Sequence, residues 1–303
     1  MIFKRSWFIM CMVVPFFISA QNTINQFLKP SDTLNSNRKT TVFTSEAVIL
    51  GSALIGLNQI WYKDYPQSKF HFINDNKQWM QMDKIGHFYS TYQLGSIGAN
   101  ALKWSGASQK QQLVYGATLG FAFLSVVEVF DGFSKEWGAS TGDIFANASG
   151  TALYVGQELL WKEQRIIPKF SFHTTKFAAA RPELLGRSLN EQILKDYNGQ
   201  TYWLSANLYA FSKWKSVPKW LNLAVGYGAE NMLFGSSNDF NETLENSRPY
   251  RQFYLSFDVD LTKIHTKSHL LKTFFSVFNT LKIPAPTLQI NGNKRVTGHL
   301  FYF

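Results

Sequence analysis

The sequence predicts an α+β fold, an apolar helical bundle of about four helices followed by a β-rich C-terminal extension with one amphipathic helix. Three observations predict it. Four apolar segments of helical length lie between residues 42 and 161. Beyond Arg165 the chain changes to short alternating runs of Tyr, Phe, Leu and Val, bounded by Gly, Pro and Asn. Residues 269–281 then place Leu270, Leu271, Phe274, Phe275, Phe278 and Leu281 on one helical stripe. The 303 residues suit one large domain or a domain plus an extension.

Composition narrows the class. Hydrophobic residues make up 45%, aromatics 16% and charged residues 17%, the last well under the roughly 25% usual in soluble domains. A disordered, collagen-like or disulfide-stapled chain is excluded. The net charge of +10 comes without a Lys/Arg block, a zinc-ligand spacing or an aromatic RNA-binding signature, so no nucleic-acid partner is expected. An anionic membrane surface accounts for the same charge.

Residues 1–20 read as a signal peptide: Lys4 and Arg5 form a basic start, residues 7–17 an apolar stretch, and Ile18-Ser19-Ala20 a small-residue end. Pro15 and the short length argue against an uncleaved anchor. The only cysteine, Cys11, goes with this segment, and Phe8-Ile9-Met10 before it lacks the small residue that acylation requires. The protein is therefore expected to be exported to the cell envelope and associated with a membrane there. Residues 21–40, polar and aperiodic, read as a flexible tether.

The bundle, residues 41–165, holds apolar segments at 42–62, 85–104, 113–130 and 144–161, each about long enough to cross a bilayer. Gly51, Gly56, Gly95, Gly98, Gly116, Gly120 and Gly150 would let helix backbones approach closely. Trp61, Tyr62, Trp104 and Trp161 fall at segment ends, where an aromatic belt sits. A mean hydropathy of −0.14 keeps a water-soluble bundle as the competing reading. Loop Lys and Arg show no consistent bias, so no orientation follows.

Residues 166–303 form the β-rich region, with strands expected at 201–211, 221–229 and 250–261, a polar loop at 235–247, and the helix at 269–281 ended by Pro284 and Pro286. The aromatic alternation up to Phe303 resembles the closing strand of an outer-membrane barrel, yet the chain is too short for the eight strands a barrel needs. The helix suits either a membrane interface or a cover over the sheet.

One constellation carries chemistry. Asp83-Lys84-Ile85-Gly86-His87 opens the second segment with Asp83 and His87 one turn apart, and Glu128 and Asp131 close the third. Ser140-Thr141-Gly142-Asp143 opens the fourth, where Asn147, Gly150 and Tyr154 continue one stripe. Packed together, Asp83, His87, Glu128, Asp131, Asp143 and Asn147 would meet at one bundle end. A histidine among carboxylates serves acid/base chemistry or holds a metal, whose identity the sequence leaves open, as it does any cofactor. Each residue also has a structural reading. Ser140 and Asp143 fit a helix cap, Asp83 a favourable dipole position, Glu128 an ion pair with Lys84 or Lys135, and Asn147 a helix bridge. His265 and His269 read as a solvated basic face, and G-x-S-x-G, P-loop and G-x-G-x-x-G motifs are absent.

The pattern Asp83-Lys84-x-x-His87-Phe88, Glu128-x-x-Asp131-Gly132 and Ser140-x-x-Asp143-x-x-x-Asn147-x-x-Gly150 resembles the YfiM-like family of uncharacterised envelope proteins. More remotely it resembles the VanZ-like membrane proteins, which share an Asp-Lys-x-x-His pair and an Asp-x-x-x-Asn-x-x-Gly helix. The likeness spans residues 83–156 and implies an envelope location and a helical, membrane-associated core. Where VanZ-like proteins have Gln and then Arg after the Glu, this chain has Asp131, Ser134 and Lys135, so a role in glycopeptide resistance does not transfer. The expected function is a cell-envelope membrane protein whose polar pocket binds or modifies an envelope lipid or glycan precursor. The alternative is a non-catalytic structural or interaction protein, so whether it is an enzyme stays open.

Overall fold

The structure, a computed structural model, describes residues 23–235, 248–292 and 295–303. The expected signal peptide and nearly all of the expected loop at 235–247 lie outside the described residues. The chain is α+β, and its first half is four long helices. Helix α1, Ser36–Leu57, runs on through a π-helical turn, Asn58–Tyr62; α2 is Met82–Trp104; α3, Leu119–Gly132, follows a π-helical turn at Gln112–Gly116; and α4 is Thr141–Trp161. Side chains satisfy the free amides at two of the starts: Asn35 accepts from Arg38 N, and Ser140 from Asp143 N.

The helices alternate in direction. α2 lies antiparallel to α3, with Gly120 against Thr91 and Gly116 against Ala99, and parallel to α4, with His87 beside Asn147 and Tyr92 on Tyr154. Glycine makes this closeness possible: a Cβ on Gly120 would fall 2.3 Å from Thr91 O, and one on Gly150 2.3 Å from Phe88 O. Gly51 and Gly56, expected to do the same, face open space, because only Val42 of α1 is buried. α1 touches the bundle mainly through Val42, which packs with Leu102 and Ala107.

Two expectations for this half need correction. The supposed tether is anchored: residues 23–28 are helical, Ser31 N donates to Trp104 O and Asn35 N to Ser105 O, and Arg38 stacks over Trp104 at 4.6 Å. The carbonyls left free at the end of α2 are what this segment satisfies, a cause invisible in periodicity. Trp104 thus clasps the N-terminal segment, donating to Phe27 O. Of the four supposed spans, two are long and apolar enough to cross a membrane, Ser36–Tyr62 and Gln109–Gly132. The other two turn polar residues inward: Gln93 from α2, and Asp143, Asn147 and Gln157 from α4.

The second half is a six-stranded antiparallel meander, β3 to β8 in chain order, while β1, Phe72–Ile73, pairs in parallel with β2, Ala139–Ser140. The strands are β3 Ile166–Phe172, β4 Gln200–Asn207, β5 Leu221–Glu230, β6 Tyr250–Val259, β7 Ala285–Asn291 and β8 Val296–Tyr302. The strand expected at 201–211 stops at Asn207, whose side chain caps a short helix, Leu208–Ser212. The amphipathic helix, α5, is His269–Phe278 and ends at Asn279 before either proline. β3 and β7, which the sequence does not predict, both contain prolines. Pro168 sits in the edge strand, and Pro286 at a bulge between Ala285 and Thr287, the two places where a strand tolerates a missing amide. Residues 280–282 return to β3, where Phe170 N donates to Thr280 O and Lys282 N to Phe170 O. Among the described residues no ladder joins β8 to β3, so the sheet curls without closing.

The sheet sets one small cluster, Trp203, Ala224, Tyr254 and Tyr302, among many polar groups on its inner face. Its inner face buries Ser205, Asn222, Gln252, Ser256 and Thr287, with Lys169 Nζ paired to Asp258 at 2.8 Å and both side chains wholly buried. Its outer face exposes Val225, Phe253, Leu255, Phe257, Leu288 and Ile290. α5 likewise buries none of its residues and leaves Phe274 and Val277 exposed.

Candidate functional site

The starts of α2 and α4 and the end of α3 converge at one end of the bundle, and a loop docks onto them. Pairing of β1 with β2 sets Ile73 beside Ser140, which brings Asp75 to the start of α4. There Ser140 Oγ donates to Asp75 Oδ1 at 2.6 Å while accepting from Asp143 N at 3.2 Å. Lys84 Nζ fills the centre, 2.6 Å from Asp75, 2.7 Å from Asp143 and 3.2 Å from Asp83. Ser140 N donates to Glu128 Oε2 at 2.8 Å, so Glu128 pairs with neither Lys84 nor Lys135 as expected but grips the cap of α4.

His87 lies beside this network. Thr91 Oγ1 donates to Asn147 Oδ1 at 3.0 Å, which makes that oxygen an acceptor, and His87 Nδ1 lies 3.1 Å from it. When neutral, the imidazole carries its proton on Nδ1 and presents the Nε2 lone pair 3.8 Å from Asp83 Oδ1; burial opposes the charged ring, but Asp83, Asp143 and Glu128 outweigh it and favour the protonated form. Glu128 Oε1 is 3.7 Å from Nδ1. Of the six residues singled out by sequence, five form this one cluster. Asp131 stands at its margin, accepting from Tyr62 OH at 2.7 Å. Glu128 Oε1, Asp143 Oδ1 and Asn147 Nδ2 are buried without a hydrogen-bond partner, which leaves the cluster unused capacity to bind.

Electrostatics follow from crowding. Burial and the neighbouring Asp83 push the Asp143 carboxyl up to about 6, against the pull of His87 and Lys84. Burial also works to raise Asp83, but His87 and Lys84 outweigh it and hold this carboxyl below its ordinary value. Lys84 is raised, because Asp83 and Asp143 overcome the cost of burial. Asp83, His87 and Asp143 each offer a ligand atom within 4.8 Å of the others, a spacing that could hold an imidazole-binding divalent ion. Lys84 already bridges Asp83 and Asp143, so an ion there would share those carboxylates with an ammonium.

Sequence reasoning missed Asp75, Tyr62 and Tyr197. Tyr197, from the C-terminal region, donates to Asp83 Oδ1 at 2.8 Å and also walls a recess with Trp61, Tyr65, Trp79 and Trp137, a cavity of about 70 Å³. Lys195 lies over the Trp61 ring at 5.2 Å. The approach to α2 is strained. Trp79, Met80 and Gln81 take φ of 47°, 51° and 66°, a left-handed run without glycine that costs on the order of 1–3 kcal/mol per residue. The C-terminal region holds it: Tyr227 OH donates to Met80 O, Arg251 Nη2 to Gln81 Oε1, and Trp79 N to Gly235 O. No local sequence signal marks these contacts.

Residues 71–157 match the model of a family described as predicted periplasmic lipoprotein (DUF2279). The matched span runs from His71 through the cluster and supports a place in the bacterial envelope. Kinship with YfiM-like or VanZ-like proteins is not part of that match. No curated protein and no solved structure matches the chain.

Proposed function

We propose that this envelope protein binds the polar part of an envelope lipid or glycan precursor at the bundle end, with His87 as the group that moves a proton on it. The observation that carries this reading is Tyr197, one side chain that both walls the aromatic recess and donates to Asp83, the carboxylate next to His87 Nε2. Aromatic faces suit the C–H faces of a sugar ring, and Lys195 suits an anionic group. A proton taken up at Nε2 would be stabilised by Asp83, while Asn147 fixes the ring through Nδ1. Support for location comes from the envelope family matched over the same residues.

Purified protein titrated with a polyprenyl-diphosphate-linked sugar should show a saturable change in tryptophan fluorescence. Trp137→Ala should weaken binding up to about tenfold, the worth of one aromatic contact. No saturable change, or one indifferent to Trp137, contradicts the reading.

A second reading has its own observation. Lys84 ties a loop, α2 and α4 together through three carboxylates, which is what a purely structural clamp would do. The two separate at His87, which that clamp does not need.

A further inference from the structure

We propose that the outer face of strands β4 to β7 lies against the hydrocarbon of an anionic lipid bilayer. Val225, Phe253, Leu255, Phe257, Leu288 and Ile290 form that face and are between 44% and 53% exposed. Inside, the sheet packs one small cluster, Trp203, Ala224, Tyr254 and Tyr302, beside the Lys169–Asp258 pair, Ser205 and Asn222. Among the described residues the apolar outer face has no such cover, and its burial is left to whatever lies against it.

Lipid fits better than a protein partner for three reasons. The exposure is not confined to one patch: in the helical half Ile49, Ile55, Phe145 and Leu160 are 65%, 67%, 75% and 76% exposed. A partner covers one side, whereas acyl chains cover a perimeter. The outer face is also continuous from strand to strand with no polar side chain in the row: Leu204 pairs across to Val225, Val225 to Leu255 and Leu255 to Leu288. At the end where β4 passes to β5, Trp214 is 68% exposed among Lys213, Lys215 and Lys219, the aromatic and cationic pairing expected at anionic headgroups. α5, which joins β6 to β7 at that same end, turns Phe274 and Val277 outward and carries Lys267 just before it and Lys272 in its first turn.

Since Cys11 is the only cysteine, nitroxide labels can be placed singly in the full chain carrying Cys11→Ser. Val225→Cys, Leu255→Cys, Leu288→Cys and Lys215→Cys all change exposed or loop residues, so the fold should persist. In phosphatidylethanolamine–phosphatidylglycerol vesicles the first three labels should collide with oxygen several-fold more often than with a water-soluble nickel chelate. Lys215→Cys should show the reverse. Nickel access at all four sites would place the face in water. Shielding of the first three from both reagents would mean that protein covers it, a second copy along β8 included. Failure to float with the vesicles would be equally decisive, and any of these three results overturns the proposal.

Discussion

Lys84 is the residue on which the bundle end depends, because among the described residues only its ammonium reaches Asp75, Asp83 and Asp143 together. Lys84→Met would leave three facing carboxylates and should cost about 3 kcal/mol or more, read as a fall in the thermal unfolding midpoint. Asp143 gives a pH test. Its carboxyl rises from 3.8 to about 6 on folding, so between those values the folded state binds the extra proton. Stability from this group is therefore lost as pH rises through that window. Wild type measured against Asp143→Asn should lose relative stability between pH 4 and 6, and a flat difference would show that the carboxyl is not raised. At this scale much of the site was legible, since one-turn spacing joins Asp83 to His87 and Asp143 to Asn147. Asp75 and Tyr197 were not: Tyr197 reaches Asp83 across 114 residues, a separation that no periodicity encodes.

Among the elements, glycine separates contact from appearance. Gly120 is a notch for Thr91, so Gly120→Ala should destabilise by about 1–3 kcal/mol, the usual cost of overpacking. Gly51 faces open space within α1, and Gly51→Ala should instead stabilise by roughly 0.5–1 kcal/mol through helix propensity. Opposite signs in thermal unfolding check both; equal signs would mean that α1 packs elsewhere. The four helices were legible because each is an apolar run of helical length. The sheet was legible in β5 and β6, yet the sequence could not say which face turns inward. A period of two distinguishes two faces and assigns neither to the interior. Pro168 and Pro286 hid β3 and β7 because a bulge and an edge are properties of pairing, not of the strand alone.

The two halves of the molecule meet at several places, among them Tyr89 on Phe170 and Tyr202 and Gln93 on Pro168 O, and one of these places is the site itself. Tyr197, Tyr227 and Arg251 reach from the C-terminal region to the start of α2, so the sheet supports the site as well as extending the chain. The division at residue 165 is thus one of architecture, and we expect bundle and sheet to depend on each other. Removing Arg251 by Arg251→Ala should loosen Trp79 to Gln81, seen as faster amide exchange there with little change in the bundle core. The central claim, that the bundle end works on a ligand, is tested most directly by His87→Gln in cells lacking the native copy. Glutamine can still donate to Asn147 but cannot take up a proton. The account predicts a variant as abundant and as thermally stable as wild type that nevertheless leaves cells with the envelope defect of the deletion strain. Wild-type behaviour, or a defect that tracks loss of abundance, would contradict it and leave the cluster as a structural clamp.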